Sequence, residues 1–225
     1  MLFCRYFLAF ALIAGFAAGC RAQSGTANLV TVRVDAAHPT GSYQRTWNNF
    51  GADEPNYSYA PNGQHLLREL SQLSPAPVYV RLHNLLTTGD GTPALKWGST
   101  NVYREDAAGK PIYDWTITDR IFDSLLHNGV RPLVEVGFMP EALSTHPQPY
   151  QHTFPKGSVF TGWSYPPNDY GKWSALITAW TRHLHDRYGD AAVNTWLWEV
   201  WNEPDIDYWH GTPQEYDKLY DVTAA

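Results

Sequence analysis

Short apolar strands alternate with amphipathic helices along most of this chain, and that order leaves few folds open. Val78 to Leu82, Pro132 to Phe138 and Thr195 to Trp201 are compact apolar runs of strand length. Thr46 to Ala52 reads as a further extended segment leading into the loop Asp53-Glu54-Pro55, and Leu29 to Val34 alternates apolar and polar residues like a short strand. Between these runs lie helical patterns. Gln64 to Leu73 places Leu66, Leu67, Leu70 and Leu73 at helical spacing. Thr118 to Asn128 gathers Ile121, Phe122, Leu125 and Leu126 on one face and stops at Gly129. Trp173, Leu176, Ile177, Trp180, Leu184 and Tyr188 stand at offsets 0, 3, 4, 7, 11 and 15, one face of a 3.6-residue period. Asn168 or Asp169 caps that helix and Gly189 ends it. Thr212-Pro213-Gln214-Glu215 opens a last helix, with Pro in its first turn.

Strand, helix, strand, helix implies a parallel α/β architecture. Residues 87–110 and 139–167 read as loops on the face that would carry a site. A (β/α)8 barrel takes about 250 residues, and this chain offers about four strand–helix units. Its last helix is still running at Ala225. A half-length α/β domain and a barrel cut off after about four units both fit, and the running helix favours the second.

Charge and cysteine narrow the partners. There are 22 Asp+Glu against 16 Lys+Arg, a net charge of -6, with no basic run. Nucleic acid and anionic membrane surfaces both need clustered cations, so neither is expected as a partner. Cys4 and Cys20 both lie at the N-terminus, which leaves no internal disulfide framework or Cys-based zinc site. Arg5, the apolar stretch Tyr6 to Phe16 and small Ala17, Ala18 and Gly19 form an export signal. The stretch is shorter than the roughly 20 apolar residues of a spanning helix. The boundaries are a signal over residues 1–22 and a folded part over 23–225. Cys20 resembles a bacterial lipoprotein cleavage site, although Ala17 stands where Leu is usual; ordinary cleavage after Ala22 is the alternative. The protein is thus expected in the periplasm, outside the cell or lipid-anchored at the envelope. Asn56-Tyr57-Ser58 is a formal glycosylation acceptor that a bacterial-type signal leaves unused.

Aromatic residues make up 15%, with 10 Trp and 14 Tyr. Flat π faces hold sugar rings, and they equally build a large core. Dinucleotide, nucleotide-phosphate and serine-elbow motifs are missing, so no cofactor is called for. His183 and His185 stand two apart on a helix and cannot share a metal. His146 and His152 flank a Pro-rich loop. Trp163, Tyr165 and Trp209 could stack on sugar or pack beneath loops.

The sharpest local feature is Trp201-Asn202-Glu203-Pro204 at the exit of an apolar strand. Side chains alternate along a regular strand, so Glu199, Trp201 and Glu203 share one side while Asn202 faces the other. A carboxyl among Trp rings would be poorly solvated, its pKa would rise, and it could stay protonated as a general acid. A structural Glu bridging a loop is the plainer reading. Glu135 and Glu199 lie mid-strand, where ion pairs inside the barrel, with Arg81 as partner, are the expected role. Asp53 and Glu54 follow the first strand and either border the site or are solvated loop residues.

YDWTITDRIFDSLLHNGVRPLVEVGFMPEAL, then PPNDYGKWSALITAWTRHLHDRYG, then WLWEVWNEPDIDYW together resemble glycoside hydrolase family 39, the family of β-xylosidases and α-L-iduronidases. The likeness runs in order from about Val78 to Ala225. The segment Asn101-Val102-Tyr103-Arg104-Glu105-Asp106 is similar to the xylosidase branch. The resemblance implies a retaining glycosidase on a (β/α)8 barrel with a carbohydrate substrate. Glu203 matches the acid/base carboxylate. Asn202 matches the residue that hydrogen-bonds the sugar 2-hydroxyl, and His83 a sugar-contacting His at the second strand's end. The family nucleophile is a Glu on the seventh strand, roughly a hundred residues further on in a barrel of this size. The chain is therefore expected to carry the acid/base without the nucleophile and to be inactive alone. An iduronidase-like or endo-acting glycosidase and a non-catalytic sugar-binding barrel are the alternatives. Neither the sugar nor the oligomeric state is readable from the residues.

Overall fold

The computed structural model describes residues 30–42, 47–73, 75–92, 100–154 and 157–225, the side chains of 150–161 excepted. The expected export signal, with Cys4 and Cys20, lies outside the described residues. The chain divides into two compact units, Met1–Tyr43 and Gln44–Ala225. In the first, the Asp35 carboxylate accepts the Ala37 N–H at 3.1 Å and meets the His38 ring at 2.9 Å, closing a turn. The strand expected over Leu29 to Val34 does not form across its described residues. Val30, Val32 and Val34 are all exposed, so their alternation has no sheet face to pack on.

The second unit opens with β1 (Asn49–Ala52), a 3-10 turn (Pro55–Tyr59), α1 (Pro61–Gln72) and β2 (Tyr79–Leu82). A hairpin of β3 (Tyr103–Glu105) and β4 (Pro111–Tyr113) precedes α2 (Thr116–His127) and β5 (Arg131–Glu135). A second hairpin, β6 (Tyr150–Phe154) and β7 (Gly157–Gly162), leads into α3 (Tyr170–Tyr188) and α4 (Asp190–Val193). Then come β8 (Leu197–Glu199) and α5 (Pro213–Ala224). The sheet runs β1-β2-β5-β8, every neighbouring pair parallel. Each parallel step needs a crossover, and α1, α2 and α3 supply them. The expected α/β organisation is what the chain adopts.

Register decides what each face carries. Arg81 pairs with Leu133, Leu133 with Leu197, and Glu135 with Glu199. Period-two alternation therefore puts Tyr79, Arg81, Leu133, Glu135, Leu197 and Glu199 on one face. Val80, Leu82 and Val134 point the other way and are buried with the helices. There Trp173, Trp180 and Phe122 are fully buried. Phe122 stacks on Trp196 at 5.1 Å and Trp180 meets Trp198 edge-on at 6.1 Å. Much of the aromatic excess is thus core.

Helix ends follow their chemistry. Asp169, not Asn168, caps α3, its carboxylate accepting the N–H groups of Gly171 and Lys172 at 2.8 and 3.0 Å. Gly189, at φ 80°, ends it. Thr212 and Glu215 close a capping box on α5. β3, β6 and β7 stand where loops were expected, and β4 begins just past the end of the first of those loops. Three-residue strands such as β3 and β4 are too short to show a period, and a tertiary tie supports them: Lys172 meets Glu105 at 2.8 Å and the Gly109 carbonyl at 3.0 Å. Asn56 is buried and donates to the Tyr59 hydroxyl at 3.1 Å, which makes it a poor glycan acceptor.

Candidate active site

The four parallel strands end at one edge of the sheet, and each hands its chain to a polar residue there: Asp53 after β1, His83 after β2, Glu135 closing β5, and Asn202-Glu203 after β8. Arg81 ties most of them together. Its Nε and Nη2 donate to Glu199 at 2.5 and 2.7 Å, a two-point grip. Nη2 also donates to Asn202 Oδ1 at 2.8 Å. Nη1 faces His83 Nε2. A guanidinium only donates, so Nε2 is the ring's acceptor and Nδ1 carries the hydrogen. That Nδ1 lies 3.3 Å from Glu135, and Nε2 lies 3.3 Å from Asp53.

Glu135 is 0% exposed. Its Oε1 accepts the Asn84 N–H at 3.1 Å. Its Oε2 lies 3.0 Å from Arg81 Nη2 but has no aligned hydrogen-bond partner. Burial pushes this carboxyl up to about 8, against the opposing charge of Arg81. The neutral acid suits the position, because Glu199 already balances the arginine. The hydrogen bond to Glu199 in turn raises Arg81 further. Glu199 thus forms the ion pair with Arg81 expected from its strand position, while Glu135 stands beside the same arginine as a neutral acid.

Asn202 is 3% exposed. It shares Arg81 with Glu199, so the strict alternation expected through Glu203 breaks after β8 ends at Glu199. Trp201 is anchored just past the break. Its ring packs on Gly137, where an added Cβ would meet it at 3.1 Å, and its Nε1 donates to the Tyr208 carbonyl at 2.7 Å. Glu203 then takes φ 42°. Left-handed backbone costs a non-glycine residue about 1–2 kcal/mol and gathers at working sites. The poor solvation expected for Glu203 is not found: its side chain is exposed and stands outside the Arg81 network. Trp201 is buried behind it rather than folded over it. A concavity of 410 Å³ opens on the Asp53 side of the sheet, bordered by Asp53, Glu54, Tyr57, Leu66 and Val80.

The loops beside Glu203 are tied down. His210 N–H donates to the Ser164 carbonyl at 2.8 Å. Tyr165 is stacked between His146 and His210, at 4.5 and 5.0 Å. Trp163 and Trp209 are buried, so they pack beneath the loops. His183 pairs with Asp119 and His185 with Asp190, each at 2.7 Å. Among the described residues no group of three or more His, Cys, Asp or Glu is arranged to hold a metal.

The family model for glycosyl hydrolases family 39 matches residues 30–225. The chain belongs to this family. A beta-xylosidase of Geobacillus stearothermophilus is 44% identical over 151 residues, 65% of this chain and 27% of the relative. An alpha-L-iduronidase of Mus musculus is 26% identical over 86% of this chain and 28% of its own length. Among solved structures, a GH39 beta-xylosidase from Caulobacter crescentus matches with TM-score 0.63 and 33% identity. That match covers 78% of this chain and 36% of the other. The chain thus spans about a third or less of the length of these family-39 relatives.

Sequence reasoning named Glu203, Asn202 and His83, and the fold places all three at the strand ends. Asn202 and His83 meet on Arg81; Glu203 stands beside them by chain adjacency alone. Arg81 was expected only as an ion-pair partner. Its place one strand period before His83 was the available signal.

Proposed function

We propose that this family-39 chain carries the acid/base side of a retaining glycosidase active on β-xylosides. The observation that carries the reading is Glu203, held in left-handed backbone at the exit of β8 and joined to an Asn202 gripped by Arg81. In the first step Glu203 protonates the departing glycosidic oxygen while a second carboxylate attacks the anomeric carbon. The C–O bond to the leaving group breaks and a glycosyl–enzyme ester forms. Glu203, now a carboxylate, takes a proton from water, which attacks the same carbon and frees the carboxylate. The sugar leaves with its configuration retained. The attacking carboxylate must lie about 5–5.5 Å from Glu203, and the reading places it on a seventh barrel strand. The xylosidase branch is preferred because the xylosidase relative is 44% identical and the iduronidase 26%. Export, with or without a lipid on Cys20, belongs to the same proposal.

The test begins with the reading frame beyond codon 225 and expression of the protein it encodes. Hydrolysis of aryl β-xylosides is expected. Glu203→Gln should cost about 10²–10⁴-fold on substrates with poor leaving groups, the range of general acid–base catalysis. A 2-fluoro xyloside should label a Glu beyond residue 225. Binding of xylosides with neither turnover nor label would favour a non-catalytic sugar-binding barrel instead.

A further inference from the structure

A carboxamide has two ends that differ in chemistry, and the partner of one end decides where the other points. Asn202 Oδ1 lies 2.8 Å from Arg81 Nη2. Turning the amide over would set N–H against N–H, because a guanidinium offers donors only. The arginine itself cannot swing to follow. Glu199 holds Nε and Nη2 together, and Glu135 stands beside Nη2 at 3.0 Å. Residues of three strands thus decide one amide's orientation. The far end, Nδ2, is buried and has no hydrogen-bond partner. A buried donor left unpaired costs about 1–3 kcal/mol, a cost that a ligand acceptor would remove. The next residue is Glu203.

We propose that Arg81 is a positioning residue that locks the Asn202 carboxamide with Nδ2 facing the sugar, so that the amide donates to the 2-hydroxyl oxygen. The glycoside's 2-hydroxyl then keeps its own proton for a different acceptor. Arg81 touches no reacting atom. Its contribution travels through Asn202, and Glu199 is the anchor that stops the guanidinium from turning. The proposal rests on the glycosidase reading above and specifies how that site recognises one hydroxyl.

The experiment compares kcat/KM for 4-nitrophenyl β-xyloside and its 2-deoxy counterpart, using the full-length protein. Arg81→Lys keeps the charge and loses the fork. It should shrink the preference for the 2-hydroxy substrate by about tenfold, the worth of one hydrogen bond. Glu199→Gln should shrink it less. In an Asn202→Ala background, Arg81→Lys should change the preference no further. A purely structural arginine would lower both rates together, and an unchanged preference in both variants overturns the proposal. Should Arg81→Lys fail to fold, Glu199→Gln against Asn202→Ala decides the same question. If the wild type hydrolyses neither substrate, the glycosidase reading has failed, and a second readout takes over. The Asn202 side-chain amide resonances, assigned by their loss in Asn202→Ala, should move in Arg81→Lys and Glu199→Gln. Resonances that stay in place overturn the orientation itself.

Discussion

Glu135 and Glu203 are two glutamates of one sheet edge with opposite surroundings. Glu135 is enclosed, and burial holds its carboxyl up to about 8 from an ordinary 4.5. Between those values the folded chain keeps a proton that the unfolded chain has released. Stability must therefore fall as pH rises from about 4.5 to about 8, then level off. Glu135→Gln, neutral throughout, should flatten that slope in urea unfolding measured across the same range. A slope unchanged in the variant would mean that Glu135 is not its source. Glu203 is exposed and strained. Glu203→Gly relieves the left-handed backbone at the cost of a looser unfolded chain, so a net gain of up to about 1 kcal/mol is expected. Hydrolysis by the full-length protein should be lost in the same variant. A residue that weakens the fold while it serves the chemistry would show this opposition; a structural glutamate would show a loss of stability.

At the scale of elements, α3 is the longest helix described and the one that buries Trp173, Leu176, Trp180 and Leu184 against the sheet. Its start depends on a single side chain, because Asp169 alone satisfies the first free N–H groups. Asp169→Ala should cost about 1 kcal/mol of unfolding free energy. Asp169→Asn should cost less, since Asn caps nearly as well. Thermal melts of the three proteins check the order. The hairpins β3–β4 and β6–β7 belong to this scale too. They sit between strands of the parallel sheet and the helices that follow, and β3–β4 is moored to α3 by the Lys172–Glu105 pair.

At the scale of the whole molecule, β8 stands at an edge of the described sheet. Leu197 and Trp198 on it are exposed, Trp198 to 41%. An edge with free backbone groups and apolar side chains invites pairing with another chain. The chain of residues 1–225 produced alone is therefore expected to self-associate. Leu197→Lys places a charge on that edge and should shift the light-scattering mass toward monomer. An equally aggregated variant would point to another surface, such as the one around exposed Leu66 and Leu73.

The α/β order, the one-sided face of α3, its end at Gly189 and the capped start of α5 were all readable in the residues. Each depends on neighbours within a few positions, where backbone geometry and side-chain period act directly. The family resemblance was readable as well, through Trp201-Asn202-Glu203-Pro204 and the segments before it. The tertiary structure alone decided the rest. Arg81 meets Glu199 and Asn202 across 118 and 121 residues, through a register that no local pattern announces. The alternation that would put Asn202 opposite Glu199 ends with β8 at Glu199, and Trp201 packs on Gly137 just beyond it. The valines at 30, 32 and 34 alternate like a strand and form none, since a strand exists only where another backbone accepts its hydrogen bonds. Local sequence sets what each segment can become; packing across the sheet decides which of its groups meet.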